Sequence, residues 1–132
     1  DAAKAAEWRE TFRRGRELKN RIDGLRLRLR SEPGHAPSLS ALARAYAEAG
    51  AHRDAVPWFA RAVAASPDDR PLLRDAARSR LSAGDLQGAA SDYRRLAEGD
   101  CDAALLLEAA AALEKAGDAR HAARLRARAG GR

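Results

Sequence analysis

A chain of 132 residues can bury one continuous core of ordinary size but not two. The longest apolar run, around residues 101–117, is broken by Asp102, Glu108 and Glu114 well short of the ~18 residues of a membrane span, so no transmembrane segment is predicted. Cys101 is the only cysteine, which excludes an internal disulfide and leaves both a cytoplasmic and a bacterial periplasmic location open. The net charge of +6 sits at the ends: about +4 over residues 1–32, about −2 over residues 33–117 and about +4 from Asp118 onward. Nearly all of it is arginine, a bias that GC-rich coding also produces. With no methionine and Asp1 in first place, the sequence reads as an excised domain or a processed product.

In chain order, the first element is a long helix. Trp8, Phe12, Leu18, Ile22, Leu25 and Leu29 form an apolar stripe at helical spacing from about Ala3 to Arg30, with Gly15 and Gly24 as weak points. The run GLRLRLR alternates with period two, as a strand would, but no partner strand is visible elsewhere and helix wins. Residues 1–32 are set apart from residues 33–132, although their last half, closed by Pro33, resembles the second helix of a preceding repeat, with Ile22, Leu25 and Leu29 facing the Leu39 helix.

From residue 33 the chain repeats itself. Ala49-Gly50 recurs as Ala83-Gly84 and as Ala116-Gly117, close to a 34-residue period. Leu39, Leu73 and Leu106 keep this register, as do Ala43, Ala77 and Ala110, and, after each glycine, Ala55, Ala89 and Ala122. Apolar residues fall at helical spacing on both sides of each glycine, so each unit is a helical hairpin whose first helix ends in a left-handed glycine. The units run at about 36–69, 70–102 and 103–129. The small residues let helices approach closely while Tyr46, Phe59 and Tyr93 fill the space beside them. Pro57 is placed in the first turn of its helix, after an N-cap region at Arg53 and Asp54.

Leu39, Leu42, Ala43, Tyr46, Ala55, Phe59, Ala62 and Pro67 resemble the signature of the tetratricopeptide repeat family. The second unit keeps Leu73, Ala77, Gly84, Ala89 and Tyr93 but has Arg80 in place of the first aromatic. The third keeps Leu106, Ala110, Gly117, Ala122 and Ala129 but has Arg126 in place of an aromatic. The resemblance implies an all-α, right-handed helical-hairpin solenoid of about three repeats, preceded by the long N-terminal helix. It also implies a scaffold or adaptor that holds a peptide or partner protein in a groove lined by first helices. Ser40, Arg44 and Glu48 face that groove from the first repeat, Arg74, Arg78 and Leu81 from the second, and Leu107 and Glu114 from the third. Arg44, Arg74 and Arg78 would then form a basic strip suited to bidentate capture of an acidic partner's carboxylates. The lysine and asparagine set of chaperone-binding members is absent, since Ser40 and Asp75 stand in its place.

No enzyme is predicted. His35, His52 and His121 fall in different repeats with nothing pairing them to Cys101, so no catalytic residue is assigned. Asp100, Cys101 and Asp102 lack a histidine or second cysteine at ligand spacing and read as a turn, so neither a metal site nor a cofactor is expected. Two alternatives come from the ends. One is a basic module for RNA or a membrane surface, with nucleic acid disfavoured because aromatics do not interleave with the arginines. The other is self-assembly, with Trp8 and Phe12 either pairing with a second copy as a homodimer or folding back over the repeats after a bend near Gly15.

Overall fold

The computed structural model describes residues 1–131, and among them every regular element is an α-helix. In chain order these are α1 (Ala2–Ser31), α2 (Ala36–Glu48), α3 (His52–Ala65), α4 (Arg70–Ser82), α5 (Leu86–Ala97), α6 (Ala103–Lys115) and α7 (Ala119–Ala129). The chain divides into two compact units, Asp1–Ala65 and Ser66–Arg132. The first holds α1 and the α2–α3 hairpin. The second holds the α4–α5 and α6–α7 hairpins, with α5 packed on α6.

Each hairpin turns by the same device. Gly50, Gly84 and Gly117 have φ of 77°, 87° and 91°, the left-handed region that costs other residues ~1–2 kcal/mol. At the second turn the Gly84 N–H reaches the Leu81 carbonyl and the Asp85 N–H reaches the Arg80 carbonyl, which satisfies two orphan carbonyls of α4. Asp85 then caps α5 by accepting the Gly88 N–H at 2.9 Å, so the turn that ends one helix starts the next. A Cβ at Gly84 would meet nothing within 4 Å, so the cost of a side chain there is purely conformational. Gly84→Ala should lower stability by about 1 kcal/mol, read as a shifted urea midpoint; an unchanged midpoint would show that the turn is not held in this geometry.

The helix packing follows the small-residue register. Ala43, Ala55, Ala77, Ala89, Ala110 and Ala122 are each 0% exposed. Phe59 fills the first hairpin, and Tyr93 with Leu72, Leu96, Leu113 and Leu125 fills the second unit. Pro57 requires a correction, because α3 begins at His52 and the proline lies in its second turn rather than its first. Its missing N–H deprives the Arg53 carbonyl of a helical partner, at an exposed position where water can replace it.

α1 is a single unbroken helix, about 45 Å long at 1.5 Å per residue. Asp1 caps it by accepting the Ala3 N–H at 2.9 Å. Its last turns pack on α2 through buried Leu29 and half-buried Ile22 and Leu25. Arg26 donates to the Tyr46 hydroxyl at 3.0 Å, and Arg21 meets Glu48, the last residue of α2, at 3.3 Å. α2 therefore ends beside Arg21, and the half of α1 before that point extends past it. The fold-back over the repeats does not occur: there is no bend at Gly15, and Trp8 and Phe12 are 77% and 65% exposed.

Candidate functional site

The second unit carries Arg74, Arg78, Leu81, Leu107 and Glu114 of the residues predicted to face a groove. Arg74 and Arg78 lie one turn apart on α4, and both reach Glu108 of α6 rather than standing free in solvent. Arg74 donates through Nη2 at 2.9 Å, Arg78 donates through Nη2 and Nε at 2.7 and 3.0 Å, and the Tyr93 hydroxyl of α5 adds a bond of 2.5 Å. One carboxylate thus ties three helices together. Burial alone would raise the Glu108 pKa, but the bonds from Arg78, Arg74 and Tyr93 outweigh it and hold the group at about 2. Burial, with the adjacent carboxylate, pushes the Tyr93 phenol well above its ordinary value.

Beside this cluster lies a shallow cavity of about 340 Å³, lined by Arg70, Pro71, Arg74, Asp75, Arg78, Leu96 and Leu105. Its rim is braced by Arg70, which donates to the Leu96 and Asp100 carbonyls at 2.8 and 3.0 Å and fixes the turn carrying Cys101. Leu107, next to Glu108 on α6, is 51% exposed, and Leu81 at the end of α4 is half-buried. On α6, Glu114 forms an ion pair with Arg126 of α7. In the first unit, Ser40 turns its hydroxyl back to the Ala36 carbonyl at 3.1 Å, Glu48 pairs with Arg21, and Arg44 is exposed on α2.

Arg80, which replaces an aromatic of the repeat pattern, points at Asp92 on α5. The two approach to 3.5 Å, and Arg80 Nε and Asp92 Oδ2 are buried without a hydrogen-bond partner. Burial raises the Asp92 pKa and Arg80 opposes the rise. Other arginines are likewise used inside their own unit: Arg128 donates to the Ala97 carbonyl at 2.8 Å, Arg94 meets Asp118 at 3.1 Å, and Arg61 donates to the Pro33 carbonyl at 3.0 Å.

The sequence singled out Arg74 and Arg78 but not the glutamate that holds them. The available signal was an acidic residue one repeat further along, in the same helix of the hairpin. Among the described residues no helix is long and apolar enough to cross a membrane, and no three or more His, Cys, Asp or Glu side chains gather where an ion would sit.

The hairpins and their left-handed glycine turns define a tetratricopeptide-like helical-hairpin fold. Among solved structures the chain is similar to MamA, with a TM-score of 0.75 and 16% identity over 86% of this chain and 67% of that one. A second MamA structure gives 0.75 and 15% over 88% and 64%, and MamA MSR-1 C2 gives 0.74 and 14% over 86% and 66%. The chain thus spans about two thirds of the length of these neighbours, and at such identity the likeness concerns the fold. No family model and no curated protein matches the sequence.

Proposed function

We propose that the chain is a protein-interaction module that holds a peptide or partner protein on the exposed faces of its first helices and carries out no chemistry of its own. The observation that carries this reading is Leu107, a large apolar side chain 51% exposed beside the Arg74–Arg78–Glu108 cluster. An apolar anchor next to fixed charged groups is the composition of a recognition face. Glu108 already satisfies much of what the two arginines offer, so an acidic ligand gains less from them than a free basic strip would give. On its other edge Arg78 Nη1 lies 3.9 Å from Asp75, and the side chain, 51% exposed, can still meet a partner carboxylate. Ser40, Arg44 and Glu48 on α2 offer the equivalent positions in the first unit.

The test is peptide selection against the whole 132-residue chain, followed by affinity measurement with Leu107→Glu and Leu81→Glu. These changes should weaken a selected peptide about tenfold or more, and Leu107→Glu should do so without altering the melting temperature because that side chain is already exposed. A selected peptide indifferent to both changes would remove the first-helix face as the site. Charge reversal of Arg74 or Arg78 is a poor probe, because it strands Glu108 and disturbs the packing together with any binding.

A further inference from the structure

We infer that the overhanging half of α1 is a contact element for an anionic lipid surface, with Trp8 and Phe12 entering the headgroup region and Lys4, Arg9, Arg16 and Lys19 engaging the lipid charges. This inference does not rest on the first-helix face.

At about 100° per residue, Lys4, Arg9, Arg16 and Lys19 all lie within about 80° of the direction shared by Trp8 and Phe12. The acids Glu7, Glu10 and Glu17 lie about 120° or more away, and Asp1, which lies on the aromatic side, has its carboxylate turned to the Ala3 N–H as the helix cap. There, Arg13 contacts Glu10 at 2.6 Å and Glu17 at 2.7 Å, and Arg14 contacts Glu10 at 3.0 Å. The ion pairs thus close the far side of the helix upon itself. The four cations on the aromatic side are exposed, and no carboxylate of the described residues pairs with them.

Three occupants compete for such a face. A second copy is opposed by charge, since an antiparallel pair that sets Trp8 against Phe12 brings Lys4 of each copy against Arg16 of the other. Area opposes it too: four aromatic side chains bury about 800 Å² together, short of the ~1,200 Å² of a stable interface. Single-stranded RNA is held in concave basic channels, and this half of α1 is convex, with no other helix of its unit packed along it. A bilayer surface is flat and reaches both flanks of the helix at once, while the long lysine and arginine stems let the rings enter as their charges stay among the headgroups. Near an anionic surface each such cation is worth about fivefold in partitioning.

The test uses the whole chain with Trp58→Phe, which leaves Trp8 as the sole indole and keeps a ring under Arg61. Vesicles containing phosphatidylserine should shift Trp8 emission to the blue and make it quenchable by brominated lipid, whereas phosphatidylcholine alone should bind about tenfold or more weakly. Joint replacement of Lys4, Arg9, Arg16 and Lys19 by glutamine should lower partitioning by more than about tenfold with helix content unchanged. Trp8→Ala with Phe12→Ala should abolish insertion. The inference is overturned if the phosphatidylserine vesicles leave Trp8 emission unchanged, or if the glutamine variant binds as well as the parent. It is equally overturned if single-stranded RNA displaces the vesicles, or if sedimentation without lipid shows a dimer that the Trp8 and Phe12 changes dissolve.

Discussion

Glu108→Ala should destabilise the second unit by about 2–3 kcal/mol at neutral pH. The residue accepts from Arg74, Arg78 and Tyr93, and its removal leaves two guanidinium groups and a buried phenol without their shared partner. Loss of one member of a fully buried ion pair costs ~3–5 kcal/mol; the side chains here are 24%, 28% and 51% exposed, and water softens the loss. The pH dependence carries a definite sign. Glu108 falls from an ordinary 4.5 to about 2 in the folded chain, so the unfolded chain binds its proton first. Its contribution is complete above pH about 4.5 and is lost as the pH falls through about 2. Urea unfolding of the parent should therefore weaken across that acid window by more than that of Glu108→Gln. Parallel pH profiles for the two proteins would show that the carboxylate is not paired as described.

Arg80→Ala is expected to cost on the order of 2–4 kcal/mol, because it leaves the Asp92 carboxylate buried without its counter-charge. The double change Arg80→Tyr with Asp92→Ala should be neutral or stabilising. It restores a ring where the repeat pattern has one and removes two buried polar atoms that have no hydrogen bond. Asp92 has a folded pKa above its ordinary value through burial, so the folded chain holds its proton more tightly than the unfolded one. With Arg80 gone that rise should grow, and the single variant should gain stability relative to the parent as pH falls through the folded pKa toward the ordinary value of 3.8. Thermal melts of variant and parent across the acid range separate the outcomes: a stability gap between the two that stays constant as pH falls would contradict a buried, stranded Asp92.

These two clusters mark the border between what the chain announces and what it conceals. The hairpin boundaries were legible because their causes are local and repeated. A glycine that alone tolerates a left-handed turn recurs at residues 50, 84 and 117, and alanines recur where two helix axes must come close. The helical state of α1 was also legible despite its GLRLRLR run, since no second strand exists to pair with it. Pro57 was misplaced because helix starts are set by which carbonyl first finds a donor. Here the Ala51 carbonyl accepts from Ala55, a choice that side-chain chemistry at Arg53 and Asp54 does not reveal.

The sequence by itself determined the helical-hairpin repeat, its registers and the small-residue seams, since helix periodicity and turn chemistry act over a few residues and are written in residue type. Only the tertiary structure decided the state of the charges. An arginine reads the same whether solvated, paired across helices or capping a carbonyl. Which of these applies depends on the rotation and crossing of helices that bring Arg74 to Glu108, Arg80 to Asp92 and Arg128 to the end of α5. The same packing leaves Lys4, Arg9, Arg16 and Lys19 without carboxylate partners beside Trp8 and Phe12, because α2 ends at Glu48, opposite Arg21, and no helix of that unit packs along the half of α1 that precedes it.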